Sequence, residues 1–385
     1  MLMHFLIICD FSLWGARGKS SYRFIIGEAS KSRRIPTTHP TCTPEAEKKP
    51  GSRRVCTLTS KRARGEVRDV KDFLVYLAAP DYEDELAAEL AFRNRKVLAR
   101  HGRVFKVENP TSERLDANES LPPKLAMSWA QDTWLGCEEF EIQWIGDAVK
   151  QLKSRGLRWG LISQGFHRRA SLIQAELPKL STGPLEFLKA PRATKMGSWT
   201  LLEPNRLLCG SRSLSPCVGG EARFTEDKSA PSRAYLKLWE LFTLFGVRPK
   251  KTDRCLDLGA SPGGWTWVLA GLGCEVVAVD RSPLEPKLMK LGNVEFHRRN
   301  AFALKPGELG HIDWFFSDVI CFPEDLYRLV EAWLASDCRN FVCTLKFKGA
   351  TDHVITKKFA SIPGSHVRHL SCNKHELTWW LIRES

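Results

Sequence analysis

Between positions 257 and 280 the chain reads DLGASPGGWTWVLAGLGCEVVAVD. An apolar strand, RCLDLGA, runs into Gly259, and Gly263 and Gly264 then let the backbone approach a ligand closely. Trp265 opens an apolar helix whose first N–H groups are free. The next strand, CEVVAVD, ends in Asp280, where a carboxylate can accept hydrogen bonds from both hydroxyls of a ribose. The distance from Gly259 to Asp280 is about the twenty residues of a nucleotide-binding βαβ unit. Two chemistries share that layout, hydride transfer from NAD and methyl transfer from S-adenosylmethionine. The loop G-A-S-P-G-G is not G-x-G-x-x-G, and Asp257 stands where it would repel a pyrophosphate. A sulfonium with an amino-acid tail tolerates that acid, so the loop favours S-adenosylmethionine. Glycines that merely pack helix on strand would leave Asp257 and Asp280 unexplained.

The elements around this loop divide the 385 residues into unequal parts. Residues 1–71 hold 15 Lys and Arg against 6 Asp and Glu, a surplus of nine out of the whole-chain net charge of +14. With KSRRIPTTHPTCTPEAEKKPGSRR at its centre and no apolar period, this stretch reads as a disordered basic extension. A tail for RNA, a solvated arm and an over-extended gene start are all compatible with it. Order is expected from 72 to 190. FLVYLAA has strand character, and PDYEDELAAELAFR has a proline at its entry and acids in a first helical turn. RVFKVEN alternates as a strand, EFEIQWI (139–145) suggests another, and GDAVKQLKSRG a helix closed by Gly156. Together these make a small α+β module. Residues 191–228, rich in Arg, Lys, Gly and Pro, read as a basic connector. From 229 to 385 helices and strands alternate, the signature of a mostly parallel α/β sheet.

Twelve cysteines occur without a C-x-x-C pair, which argues against a zinc site and for reduced thiols in a cytoplasmic protein. The apolar start MLMHFLIICDFSLW lacks a basic leader and carries Asp10, so it is not read as a secretion signal. No run reaches the ~18 apolar residues of a membrane span. No metal and no membrane partner are expected.

DLGASPGGWT and SAPSRAYLKLWELF, with IDWFFSDVI, FVCTLKFKG and HELTWWLIR further on, resemble the FtsJ-like ribose 2'-O-methyltransferases. Within them the likeness is to the RlmM branch, which methylates a cytidine of 23S ribosomal RNA. It covers about residues 229–384; region 72–190 more weakly resembles that branch's ferredoxin-like and THUMP-type RNA-binding portion. The resemblance implies a Rossmann-like methyltransferase domain, S-adenosylmethionine as cofactor, 23S rRNA or an assembling large-subunit particle as partner, and a monomer. It also implies a catalytic tetrad. Lys237 lies on a helix before the first strand, Asp318 closes DWFFSD, Lys346 follows FVCTL, and Glu376 begins ELTWWLI. Residues at the carboxyl ends of parallel strands converge on one crevice, so four distant positions can form one site.

In that family the lysine matching Lys346 takes the proton from the ribose hydroxyl. A free lysine has a pKa of about 10.4, and burial beside Lys237 should lower it, while Asp318 pulls the other way and is better cast as an orienting group. Glu376 would position Lys237 or a substrate hydroxyl. Lys348 faces the same side as Lys346, but the family register selects Lys346. For the cofactor the resemblance implies Asp257, Gly259, Ser261, Pro262, Gly263, Gly264, Trp265, Asp280, Asn300 and Asp318. Asn300 stands where Asp is usual and Ser261 where Cys is frequent. Ser232 and Arg233 would touch cofactor or RNA, or else cap a helix beside a surface arginine. Trp379 and Trp380 read as one core and one surface residue of a strand. Two other classes stay open at this point: an NAD-dependent oxidoreductase, and a noncatalytic RNA-binding protein that kept the pocket.

Overall fold

The computed structural model describes residues 72–110, 121–191 and 195–383. The basic extension expected over 1–71 lies outside the described residues. The described chain opens with β1 (Phe73–Ala78), buried on both faces, and continues into α1 (Glu83–Phe92). Glu83, Asp84 and Glu85 fill the first turn of α1, where the helix dipole favours anions. The helix ends before Asn94, whose φ of 52° is a left-handed conformation that Asn tolerates. β2 (Val97–His101) and β3 (Val104–Glu108) form a hairpin, and β4 (Ala130–Glu141) follows. Then come α2 (Ile145–Arg155), β5 (Trp159–Leu161), α3 (His167–Ala175), β6 (Gly197–Glu203) and β7 (Arg206–Ser213). The seven strands make one sheet in the order β2-β3-β1-β4-β7-β6-β5.

Two boundaries differ from the sequence reading. The strand expected at 139–145 starts nine residues earlier and stops at Glu141, and Ile145 already opens α2. Its first half looks polar because Gln131, Asp132 and Thr133 are buried there, with Asp132 accepting hydrogen bonds from Thr133 N, Ser215 N and Ser213 Oγ. The expected connector at 191–228 is not a loop through its length. β6 and β7 pair with each other and β7 with β4, so residues 197–213 lie inside the sheet. Pro204 and Asn205 make the hairpin turn, and the apolar residues on both sides of it were outweighed by the basic and glycine-rich flanks.

The second sheet is built from α4 (Tyr235–Leu244), β8 (Arg254–Leu258), α5 (Gly264–Gly271), β9 (Glu275–Asp280), β10 (Val294–Arg298) and β11 (Trp314–Ser317). It is completed by α6 (Pro323–Leu334), β12 (Asn340–Lys346), α7 (His353–Ala360), β13 (Ser365–Arg368) and β14 (Glu376–Leu381). Strand order is β10-β9-β8-β11-β12-β14-β13, with β8 to β12 parallel. β14 runs antiparallel to both β12 and β13. This is a doubly wound, Rossmann-type sheet closed by a reversed strand. Because β14 is an interior strand covered on both faces, Trp379 and Trp380 are both buried, not one in and one out as expected.

The two sheets meet through apolar and polar contacts. Tyr82 stacks on Trp129, and Trp129 on His375. Glu85 Oε1 lies 2.8 Å from His375 Nε2, and His369 N donates to Ser128 O at 2.8 Å. Deeper in the second sheet, Glu240 on α4 is buried and accepts from Ser371 N and Ser371 Oγ at 2.8 and 3.2 Å. Burial pushes the Glu240 carboxyl up to about 8, against those hydrogen bonds and the Arg368 charge. A carboxyl raised by folding supports the fold fully below its unfolded pKa, and that support is lost as pH rises through the folded value. The urea midpoint should therefore fall between about pH 5 and about pH 9, and fall less in Glu240→Gln. Asp257 and Asp132, raised to about 7 and about 6, keep some slope in the variant. Equal slopes in both proteins would show that Glu240 does not titrate in this way.

Candidate active site

From β8 the chain winds outward through β9 and β10, then returns to lay β11 on the other side of β8. That reversal opens a crevice at the carboxyl ends of β8 and β11, the usual ligand position of such sheets. The loop after β8 forms one wall. Gly259 has φ of 76°, and a Cβ there would stand 2.8 Å from Val319 Cα. Gly263 has φ of 113°, and a Cβ would collide with Leu288 Cδ1. Both positions need glycine for conformation and for space.

Asp280 closes β9 and accepts hydrogen bonds from Ser261 N at 3.1 Å and Ser282 N at 2.8 Å. A carboxylate has about four acceptor sites, so it can fix the loop and still receive ribose hydroxyls. Asp257 has a different position from the one its sequence context implied. It is buried in the seam between β8 and α5, where its Oδ2 accepts from Thr266 Oγ1 at 2.7 Å. Burial pushes the Asp257 carboxyl up to about 7; Thr266 opposes this and Asp318 and Asp280 add to it. Its influence on the crevice is thus a field rather than a contact. Trp265 is a core residue, 2% exposed, whose Nε1 donates to Ala234 O at 3.0 Å. It ties α4 to α5 and presents only backbone to a ligand. Asn300 is exposed after β10 and accepts from Phe302 N at 3.3 Å. Pro262 lies in the turn between Ser261 and Gly263, and Ser261 Oγ donates to Pro283 O at 2.9 Å. Ser232 is packed against Gly264, at which a Cβ would come within 2.4 Å of Ser232 Oγ. Arg233 is exposed and pairs with Glu226 at 2.8 Å.

The structure brings Lys237, Asp318, Lys346 and Glu376 together at the other side of the crevice. Lys237 projects from the first turn of α4, Asp318 follows β11, and Lys346 and Glu376 are directly opposite partners in the β12–β14 ladder. Lys237 Nζ is 2.7 Å from Glu376 Oε1 and 2.9 Å from Asp318 Oδ1. Lys346 Nζ is 3.1 Å from Asp318 Oδ1 and donates to the Asp318 carbonyl oxygen at 2.6 Å. The four charges alternate in sign along one chain of contacts, Glu376–Lys237–Asp318–Lys346. Burial penalises the Lys237 ammonium, but Asp318 and Glu376 outweigh it and hold its pKa above the ordinary lysine value. Burial likewise pushes the Asp318 carboxyl up, and Lys237 with Lys346 more than reverses this, leaving it below the ordinary aspartate value. At neutral pH Lys237 is therefore a cation and Asp318 an anion.

The two lysines are not equivalent. Lys237 is enclosed between two carboxylates with 7% of its side chain exposed, whereas Lys346 keeps 21%. Lys348, the alternative in sequence, points elsewhere: it is exposed and its Nζ lies 4.6 Å from the Phe322 ring centroid. Sequence reasoning missed the Thr266 hydroxyl that holds Asp257. It also missed the direct Lys346–Glu376 register, which the alternation of ELTWWLI alone could not supply.

Residues 230–370 match the FtsJ-like methyltransferase family. The matched stretch holds the glycine loop, Lys237, Asp318 and Lys346, and ends six residues before Glu376. Curated relatives named Ribosomal RNA large subunit methyltransferase M carry the same likeness. The one from Marinobacter nauticus is 38% identical over 139 residues, covering 34% of this chain and 38% of the relative. That from Halorhodospira halophila is 38% identical over 166 residues, covering 40% and 48%. That from a Shewanella species is 37% identical over 178 residues, covering 45% and 46%. The matches span less than half the length of these relatives. A solved ribosomal RNA methyltransferase described as putative, from Plasmodium falciparum, aligns at 18% identity and TM-score 0.30, over 40% of this chain and 97% of that one. At that level it bears on neither mechanism nor substrate. Among the described residues no helix is long and apolar enough to cross a membrane, and no group of His, Cys, Asp and Glu could hold a metal ion.

Proposed function

We propose that this chain transfers a methyl group from S-adenosylmethionine to a ribose 2'-hydroxyl of RNA, in a cytidine of 23S ribosomal RNA, with Lys346 as the general base. One observation carries the reading: of two lysines sharing Asp318, only Lys346 has an open side. Its ammonium protons are directed at Asp318 Oδ1 and the Asp318 carbonyl. When Lys346 is neutral, those two acceptors take its two N–H bonds and leave the lone pair for the substrate hydroxyl.

The crevice suits the cofactor. Gly259 and Gly263, both at positive φ, pack the turn tightly against Val319 and Leu288, and the Asp280 carboxylate that accepts from Ser261 N beside it favours a sulfonium over a dinucleotide pyrophosphate. S-adenosylmethionine, when bound, supplies the methyl group as an electrophile. Asp280 would hold its ribose, the turn from Ser261 to Gly264 would lie along its amino-acid end, and Asn300 would face the adenine. Lys237 stays protonated, neutralises Asp318 and Glu376, and fixes the Asp318 carboxylate against Lys346. Glu376 anchors Lys237 and stands opposite Lys346 across the ladder. Lys346 receives the hydroxyl proton as the oxygen attacks, which contributes about 10²–10⁴-fold to such reactions. The 72–213 sheet would act as a THUMP-type RNA-binding module. Ser232 and Arg233 lie at the edge of the crevice as candidates for RNA contact.

The test is transfer of labelled methyl from S-adenosylmethionine to ribosomal RNA from cells lacking the gene, followed by digestion to nucleosides. The expected product is 2'-O-methylcytidine from the large-subunit RNA. A base-methylated nucleoside, or no ribosomal RNA product, would overturn the assignment.

A further inference from the structure

A groove separate from the crevice, with a volume of about 1580 Å³, lies between the two sheets. Trp314 at the start of β11, Ile382 just past the end of β14 and Arg248 beyond the end of α4 all line it. Lys346, Asp318, Glu376 and Lys237 sit at the opposite ends of β12, β11, β14 and α4. The groove therefore runs along the edge of the second sheet that faces away from the tetrad.

Its lining is basic. Arg95 and Lys124 come from the first sheet's side, beside Arg93, which pairs with Glu89 at 2.9 Å; Arg248, Lys357 and Arg368 come from the second, and no Asp or Glu is among the lining residues described. Lys124, Arg248 and Lys357 are exposed, and no described residue accepts a hydrogen bond or ion pair from their side chains. One guanidinium nitrogen in the groove is buried without an acceptor, and a second guanidinium has no carboxylate partner. Arg95 donates through Nη2 to Lys124 O, but its Nε is buried without a partner. Arg368 stacks 5.6 Å from the Phe245 ring centroid, with no carboxylate within ion-pair distance and only the longer-range fields of Asp132 and Glu240. Desolvated guanidinium N–H groups without acceptors are costly, and their fork geometry matches phosphate oxygens.

We infer that this groove binds the phosphodiester backbone of RNA and grips the substrate at a second place, behind the sheet that carries the tetrad. The inference deepens the RNA reading of the proposed function, and the groove's charge supports it independently of any methyl transfer. Contacts from Arg and Lys to phosphates fix register without reading sequence.

The test uses the full chain and measures RNA binding without methyl donor, so a failure of the methyl-transfer reading leaves its result intact. An RNA of about 30 nucleotides is titrated at several salt concentrations against wild type and Lys124→Glu/Arg248→Glu/Lys357→Glu. The neutral variant Arg248→Gln/Lys357→Gln is run beside it, with melting temperature as the check on folding. The triple variant should bind at least about tenfold more weakly, with a salt slope shallower by about 2 to 3, and the neutral pair should fall between. Affinity and slope unchanged in both variants would overturn the inference. So would displacement of the RNA by inorganic phosphate at equal phosphate concentration, which marks an isolated anion site. Displacement by polyglutamate of equal charge would overturn it as well, in favour of an acidic protein.

Discussion

Lys346→Ala should lose methyl transfer by about 10²-fold or more while S-adenosylmethionine affinity stays within a few-fold. The reason is positional. The Lys346 amine lies on the Asp318 side of the crevice, away from the glycine turn and Asp280, so removing it takes away the proton acceptor and leaves the cofactor wall in place. Lys237 is held cationic and Asp318 anionic across neutral pH, because the pKa of one is raised and that of the other lowered. The split between single-turnover rate and S-adenosylmethionine affinity separates a base from a merely structural lysine, whose loss would disturb both. A variant that keeps near-normal single-turnover rates would assign the base to another group.

Lys237→Met should destabilise the fold by about 3–5 kcal/mol and abolish activity. The substitution removes the cation between Asp318 and Glu376, whose side chains are only 15% and 11% exposed, and leaves Asp318 with Lys346 alone and Glu376 buried without its ion-pair partner. Removing one member of a buried charge set costs more than replacing the set, because the remaining charges stay desolvated. Lys237→Met/Glu376→Gln should therefore be more stable than Lys237→Met alone, since Asp318 keeps Lys346 as its partner. Urea unfolding of the wild type, the two single variants and the double variant gives the coupling between the residues. Losses that simply add would mean that Lys237 and Glu376 are not a buried pair in solution.

The parts of this site legible in the sequence were those carried by local pattern. A strand running into a glycine turn and a helix fixes Gly259, Gly263 and Asp280 within about twenty residues, and no distant contact is needed to read them. Lys346 and Glu376 were placed correctly at strand ends because each adjoins an apolar run. What the sequence hid was long-range satisfaction. Asp132 interrupts β4 as a buried charge, acceptable only because Ser213 and Ser215 donate to it from more than eighty residues away. Without that knowledge β4 appears too short, and the hairpin of β6 and β7 that completes the sheet passes for a connector. That the Trp265 side chain belongs to the core was hidden for a similar reason, its partner Ala234 being 31 residues upstream. The pairing of Lys237 with Glu376 spans the whole second sheet and has no local signature.

The most direct test of the account is the position of one nitrogen. A crystal structure of the chain with a nonreactive S-adenosylmethionine analogue and a short RNA should place Lys346 Nζ within about 2.6–3.2 Å of a ribose 2'-oxygen. That oxygen should in turn lie about 3–3.5 Å from the position of the transferable carbon. A complex in which Lys346 Nζ faces away from the ribose, with its contacts to Asp318 unchanged, would contradict the mechanism.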